Sequence, residues 1–360
     1  MVIIYGTITE YMGTAYTGRG ISHQYDKLID TAEKTIFLKA PPTNVISGIL
    51  NDAASRFIKR GFNVDRFNSP INPDNADAIF VTELSLFILQ SSHPVSLEPT
   101  ELGGRHRVIS FYDMYDEEQL NSRSYEIAEI LQESNKAKSK MLAAMSEANR
   151  IHDEWEKVNI VRMMWKEHEQ MIDSLKEELF GMMKLHKKSM VSHRIPGSLS
   201  VGGSRDYLPS ITNRMKRRIL MKGLSGTGKS TMLKALGKEA ESRGIDVLYG
   251  WCALEPNSVD LVLLPELSVC LFDATAPHEY DPESPADEIL DLFPLCEEDA
   301  EADEKIEEIS GRYKEKIMDG TGYMHAFAQS EERLRELLDK TIARKKFEEK
   351  ARQLSEWIDV

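Results

Sequence analysis

Residues Gly223 to Thr231 read GLSGTGKST, set between the apolar run Arg218-Ile-Leu-Met-Lys222 and a helical stretch, STMLKALGKEAESRG, that begins at Ser230. The pattern G-x-x-x-x-G-K-[ST] places Gly223, Gly228, Lys229 and Ser230 at its fixed positions. Each residue type has its own reason to be there. Glycines let the backbone curl into a concave loop whose N–H groups face one anion. Lys229 brings a mobile ammonium to β and γ phosphates, the Ser230 hydroxyl can ligate Mg²⁺, and the helix that follows points its positive end at the same spot. Leu233, Leu236 and Ala240 share a helix face and Arg243-Gly244 stops it, so the order is strand, glycine loop, helix. With Leu224, Ser225, Gly226, Thr227 and Thr231 filling the remaining positions, the stretch reads as a seat for a nucleotide triphosphate.

A second element supports the first. Ser268-Val-Cys-Leu-Phe-Asp273 is an apolar strand ending in a carboxylate that would hold Mg²⁺ directly or through water. Ala274 follows, so the glutamate that many motor-type ATPases carry there is missing. This favours the kinase-like and GTPase-like arrangement, in which the Asp strand neighbours the loop strand. His278 and Thr275 lie at the carboxyl end of that strand, where α/β sheets place ligands. His278 could orient an attacking water or an acceptor, although between Pro277 and Pro282 it could equally satisfy backbone groups.

The chain repeats itself. Residues 36–99 align with 219–282 at a constant offset of 183, with 14 of 64 pairs identical. The first copy's loop reads Ala40-Pro-Pro-Thr-Asn-Val45-Ile46-Ser47, so Ala40, Val45 and Ile46 stand where Gly223, Gly228 and Lys229 stand in the second. A β-branched residue resists the turn an anion loop needs, and isoleucine removes the only mobile cation. Gln90 likewise replaces Asp273. The first half is expected to keep the scaffold without binding nucleotide. Asp260 and Glu266 recur there as Asp77 and Glu83, which marks them as structural.

Between Pro99 and Pro196 there is no proline, and Glu117 to Leu185 spaces its apolar residues by three and four, predicting long helices that form an arm. Its methionines offer an adaptable partner surface, but packing of the arm on itself is the simpler expectation. His152-Asp153 and His168-Glu169 lack a second His four residues on and read as charged pairs on solvated helix faces. A second arm is predicted from helices over 297–318 and 324–357, with a turn at Asp319-Gly320-Thr321-Gly322. Met324-His-Ala-Phe overlies Met141-Leu-Ala-Ala at the same offset, so the arm belongs to the repeat. Glycine-bearing leaders (Gly13, Gly18, Gly20; Gly197, Gly202, Gly203) precede both copies and read as connecting turns. The acidic run Glu297 to Glu304 reads as solvated surface.

The 360 residues carry a formal charge of −14, which argues against nucleic acid as a partner. The basic cluster Arg214, Lys216, Arg217, Arg218 is expected to flank the strand and phosphate site. Three cysteines (Cys252, Cys270, Cys296) form no C-x-x-C pair, so neither a disulfide framework nor a zinc site follows. No stretch suits a signal peptide or a membrane span, and the expectation is a cytoplasmic protein without membrane contact.

With GLSGTGKST, EPNSVD, PELSV and DATAPHEYDP in view, the chain resembles a family of bacterial tandem P-loop proteins of spore-forming Gram-positive lineages, described as ATPases or nucleotide-kinase-like proteins. The resemblance covers nearly the whole chain. It implies two α/β P-loop halves, each with a helical appendage, and carries over the loop residues and Asp273 in the second half only. Many relatives keep an intact loop in the first half too, and here this chain departs.

The expected organisation is therefore α/β: two tandem P-loop NTPase-like domains, each a parallel sheet flanked by helices with a long helical appendage. The boundaries are a degenerate domain over 1–115, its arm over 116–190, an active domain over 191–294 and a C-terminal arm over 295–360. The expected ligand is ATP with Mg²⁺, held by residues 223–231 and Asp273, with Lys229, Asp273 and His278 in catalysis and Ser230 and Asp273 on the metal. Small-molecule kinase activity and a nucleotide-dependent interaction protein, meeting a partner through the arms, are the alternatives. The kinase reading would need lid arginines, for which Arg333, Arg335 and Arg344 are candidates.

Overall fold

The computed structural model of the chain describes residues 5–275 and 279–359. In the first half, β1 (Ile8–Met12) leads into a small ribbon, β2 (Thr14–Thr17) with β3 (Gly20–His23), and then α1 (Tyr25–Thr31). Next come β4 (Lys34–Lys39), α2 (Val45–Lys59), β5 (Val64–Asn68), β6 (Ala76–Val81), β7 (Leu86–Gln90) and β8 (His106–Ser110). The first arm is α3 (Glu117–Ser122), α4 (Ser124–Arg162) and α5 (Trp165–Phe180).

The second half repeats the order. It runs through β9 (Val191–Arg194), β10 (Gly197–Ser200), β11 (Gly203–Asp206), α6 (Leu208–Thr212), β12 (Arg217–Lys222) and α7 (Lys229–Ser242). Then follow β13 (Val247–Trp251), β14 (Val259–Leu264), β15 (Val269–Asp273), β16 (Asp287–Asp291), α8 (Ala300–Asp339) and α9 (Arg344–Ile358). Each half holds a six-stranded sheet, in the orders β1-β5-β6-β7-β4-β8 and β16-β12-β15-β14-β13-β9.

The sheets are mixed rather than parallel, because β6 and β14 run against both of their neighbours. The connection leaves no alternative. Only one 3₁₀ turn, Thr82–Leu84 or Pro265–Leu267, separates β6 from β7 and β14 from β15, too short for a crossover. Ser85 (φ 45°) and Ser268 (φ 52°) complete the two turns in the left-handed region. Glu83 and Glu266 serve the same corners: their carboxylates accept from the Asn63 and Asp246 amides at 2.9 and 3.1 Å. The expected neighbourhood of loop strand and Asp strand is found, with β12 parallel to β15 and Met221 opposite Asp273.

The two sheets share a core. Phe37, Phe67, Phe87 and Leu89 of the first pack in one cluster with Leu220, Leu261, Cys270 and Phe272 of the second, together with Leu28 of α1 and Leu208 of α6. Arg194 (side chain 5% exposed) crosses this seam to Asp65 at 2.7 Å and stacks over Tyr11, Phe67 and Phe80. The leader glycines form the tips and edges of the two ribbons, which meet each other and the arms around Tyr16, Leu199, Met141, Met145, Met324 and Phe327.

The start of the first arm, through Leu120, Ile127 and Ile130, packs on the first half's core, but beyond it the arms cross. α4 and α8 lie antiparallel, each roughly 60 Å long at 1.5 Å per residue. Arg162 at the end of α4 meets Asp303 at the start of α8 (2.6 Å), and Glu133 meets Arg333 (2.6 Å). α5 then buries Ile172, Leu175, Leu179 and Phe180 against Met232, Leu233 and Leu236 of α7 in the second half. In return, Leu354 and Ile358 of α9 pack with Leu50 and Phe57 of α2 in the first. Each arm thus leaves one half and closes the core of the other, and the methionines serve that crossing.

Two sequence expectations fail here. No turn interrupts α8 at Asp319 to Gly322; the chain turns after Asp339 instead. Gly320 is there for contact, since a Cβ on it would lie 2.9 Å from Met145 Sδ, so the missing side chain lets α4 and α8 approach. The run Glu297 to Glu304 is largely exposed, as expected of solvated surface, and Asp299 within it caps α8 through the Glu301 and Ala302 amides.

The basic cluster does not flank the loop. Arg217 and Arg218 open β12 at the end opposite the loop, Arg217 bridging Glu178 and Glu288 and Arg218 gripping Asp287 through two bonds of 2.5 and 2.7 Å. The Arg218 bonds hold the Asp287 carboxyl down at about 2. A depressed carboxyl contributes stability above its unfolded pKa and loses it as the pH falls through the folded one. The melting-temperature advantage of the wild type over Asp287→Asn should therefore be full near neutrality and vanish as the pH falls from about 4 to about 2, read by thermal melts. Among the described residues, no helix is long and apolar enough to cross a membrane.

Candidate functional site

β12 ends at Lys222 and α7 begins at Lys229, so residues 223–228 must reverse the chain within six positions. They do so through two left-handed glycines, Gly226 (φ +85°) and Gly228 (φ +80°). Side chains pin the rest. Thr227 Oγ1 donates to Leu224 O (2.8 Å), and the Gly223 amide donates to Thr275 Oγ1 (3.0 Å). Gly223 admits no side chain, since a Cβ would stand 2.6 Å from Thr227 Oγ1. Lys229 folds back over the loop and donates to the carbonyls of Gly223 and Leu224 (3.0 Å to the latter), 3.5 Å from Asp273 Oδ2. Among the described residues, the amides of Ser225, Gly226 and Gly228 have no hydrogen-bond partner.

Ser230 Oγ accepts from the Val259 amide at 2.9 Å, and Asp273 Oδ1 accepts from the Thr275 amide at 2.9 Å. A hydroxyl at the start of α7 and a carboxylate at the end of β15 are hard oxygen donors of the type Mg²⁺ takes. Ser47 of the first half makes the same bond as Ser230, to the Ala76 amide at 2.9 Å, so this hydroxyl also has a structural duty. Thr231 points away on the exposed face of α7. His278 lies outside the described residues, and Lys222 turns from the loop to the carbonyls of Ala274 and Tyr280.

The site has a second wall that sequence reasoning missed. His152 Nε2 lies 2.8 Å from Ser225 Oγ, Asn159 Nδ2 donates to Ser225 O at 2.6 Å, and His168 Nε2 lies 3.2 Å from Gly228 O. His152 and His168 are therefore not on solvated faces. His168 is 2% exposed, and burial pushes its pKa below the usual value, so the neutral ring donates Nε2–H to Gly228. The wall fits closely: a Cβ on Gly226 would meet Glu156 O at 2.7 Å, and one on Gly228 would meet His168 Nε2 at 2.5 Å. The repeat held a signal, because the offset of 183 continues along the arms and pairs Glu156 with Asp339. Nothing in the sequence says that the arms cross.

The twin loop shows what that pairing means. Asp339 of α8 accepts from Thr43 Oγ1 and from the Asn44 amide (3.1 Å), while Asn44 Nδ2 donates to Glu332 at 2.8 Å. A carboxylate of the protein itself thus sits on the Thr43 hydroxyl and the Asn44 amide of the first loop. Burial raises the Asp339 pKa, and the Thr43 and Asn44 bonds pull it back. Asp339→Ala leaves both donors unmatched and is expected to cost about 1–3 kcal/mol of stability, read by denaturant unfolding, with ligand binding in the second half unchanged. The lid candidates belong to this half too: Arg333 pairs with Glu133, Arg335 with Glu332, and Arg344 with Glu348.

No protein-family model, curated protein or solved structure matches this chain.

Proposed function

We propose that the second half binds ATP with Mg²⁺ as a P-loop NTPase and that the first half is its catalytically silent partner. One contrast carries the reading. Two loops occupy the same place in one fold; the first is plugged by Asp339, while the second keeps free amides and an ammonium poised between two carbonyls and Asp273. In this reading the Lys229 ammonium and the loop amides bind β and γ phosphate oxygens. Ser230 and Asp273 hold Mg²⁺, which supplies charge neutralisation at those oxygens. Thr275 fixes the first glycine, and His152, Asn159 and His168 hold the loop tip so that it does not collapse when the phosphates arrive. Adenine is preferred over guanine because no N-K-x-D segment follows.

The crossing arms favour a second reading, a nucleotide-dependent switch with little turnover. The helix that touches the open loop at one end packs along α8, whose far end plugs the silent loop. A kinase would need a different lid, since Arg333, Arg335 and Arg344 stand over the wrong half. Phosphate release from ATP, measured with and without candidate acceptors, separates these. Release in water alone supports the NTPase, tight binding with negligible release supports the switch, and acceptor-dependent ADP formation would replace both with a kinase.

A further inference from the structure

Two carboxylates beside His152 on the loop-facing stretch of α4, Asp153 and Glu156, have no role so far. His152, Asp153 and Glu156 bring one ligand atom each to within 4.8 Å of one another. The spacing explains it: residues four and three apart on a helix share a face, so Glu156 lies over both His152 and Asp153. All three are half-buried. Neither carboxylate has a hydrogen-bond or ion-pair partner among the described residues, in contrast to Glu154 between them, which takes Arg150 and Arg312. Asn159, one turn on and fully buried, spends its Nδ2 on Ser225 and leaves Oδ1 unpartnered among the described residues. A cation between Asp153 and Glu156 would offset their paired negative charge.

The position sharpens the point. His152 stands against Ser225 and the backbone of Glu156 against Gly226, so the helix turn that carries the cluster lies on the tip of the open loop. In the twin loop the residue equivalent to Glu156 is Asp339, and it is satisfied by the Thr43 hydroxyl and the Asn44 amide. At the open loop the amides of Ser225, Gly226 and Gly228 are left for phosphate, so Asp153 and Glu156 would stand near a polyanion with no cation to offset their charge. Two carboxylates beside a triphosphate repel strongly in a half-buried site unless a cation lies between them.

We propose that His152, Asp153 and Glu156 form a site for one divalent first-row metal cation, carried by the arm of the first half and placed at the tip of the second half's loop. One imidazole and two carboxylates match the mixed N,O sets that Mn²⁺ and its neighbours accept, and three protein ligands leave positions for water. It is separate from the Ser230 and Asp273 oxygens. Resting on the nucleotide reading above, its further consequence is that the cation's open positions take phosphate oxygen and tie the arm to the bound ligand.

The test is a Mn²⁺ titration of the full, nucleotide-free chain, followed by the electron-paramagnetic signal of free Mn²⁺. The wild type and Lys229→Ala should each bind one ion at this site. The double variant Asp153→Asn, Glu156→Gln should lose affinity by more than about tenfold. Bound Mn²⁺ should also show nitrogen coupling in spin-echo modulation, absent in His152→Ala, a signature that a merely structural histidine does not produce. Equal binding by wild type and double variant, or no binding by the wild type, overturns the proposal. If the double variant is unfolded by thermal melt, the nitrogen coupling decides alone: its absence from the wild type overturns the site. A non-hydrolysable ATP analogue should then tighten Mn²⁺ binding in the wild type but not in Lys229→Ala. If Mn²⁺ binds with nitrogen coupling while the analogue itself does not bind, the cation site stands and the nucleotide reading falls.

Discussion

Lys229→Ala is expected to abolish the stabilisation of the protein by a non-hydrolysable ATP analogue. Among the described residues, the ammonium is the one cation in contact with the loop carbonyls, and it is poised beside Asp273 rather than locked in a close pair. Charge-assisted bonds of an ammonium to phosphate are worth about 1.5–3 kcal/mol each, so losing the pair removes about 3 kcal/mol or more. That weakens affinity by more than about a hundredfold. At a ligand concentration near one hundred times its dissociation constant, the wild type gains about 2.7 kcal/mol, a melting shift of a few degrees. The variant should gain less than about 0.4 kcal/mol, each shift being read against that protein's own ligand-free melting point, since Lys229 is largely buried and bonded to two carbonyls. An unchanged ligand shift would mean that the phosphates do not bind at this loop.

Gly228→Val is the larger perturbation, and it writes the silent loop's residue into the open one. At φ +80° a β-branched side chain costs about 1–2 kcal/mol in backbone strain alone. Its Cβ would also stand 2.5 Å from His168 Nε2, so α5 must shift and part of the seam between α5 and α7 opens. The twin tolerates Val45 because no residue of its loop among those described has a positive φ, and Asn44 enters the helix at −84°. We expect Gly228→Val to lose analogue binding altogether and to melt several degrees lower, with α5 cleaved faster in limited proteolysis. His168→Ala, which removes the ring from the clash, should restore part of the thermal loss without restoring binding. Full analogue binding by Gly228→Val would show that the left-handed turn is not needed for the ligand.

Much of this molecule is legible in the chain alone, and the parts that are not have physical reasons. The loop's strand and helix, the Asp273 strand beside it and the tandem repeat all rest on local periodicity and a constant offset, which one sequence contains. The antiparallel β6 and β14 escape such reading, since an apolar run looks the same in either direction and only the shortness of its connection decides. Gly320 looks like a turn because glycine usually breaks helices; only the approach of Met145 explains why it does not. The wall of the site is the deepest omission. His152, Asn159 and His168 lie over fifty residues from the loop they touch, on an arm whose apolar stripe says that it packs but not on what. Asp339 is hidden in the same way: as a helix-end carboxylate it reads as solvated, and its bond to the Asn44 amide comes from a crossing made by the whole fold.

The two arms also make the asymmetry of the halves intelligible. In the first half, where Ile46 stands at the position of Lys229, Asp339 takes the Asn44 amide and Glu332 the Asn44 side chain. The first half can therefore hold α8 in one place regardless of ligand, giving α4 a fixed rail along which to meet the open loop.

The proposed ATP–Mg²⁺ site is tested most directly by locating the ligand in a crystal grown with Mg²⁺ and a non-hydrolysable ATP analogue. It requires one analogue per chain, its terminal phosphates on the amides of residues 224–230 and its metal against Ser230 and Asp273. Phosphate density at residues 40–47, at both loops, or at neither would contradict it.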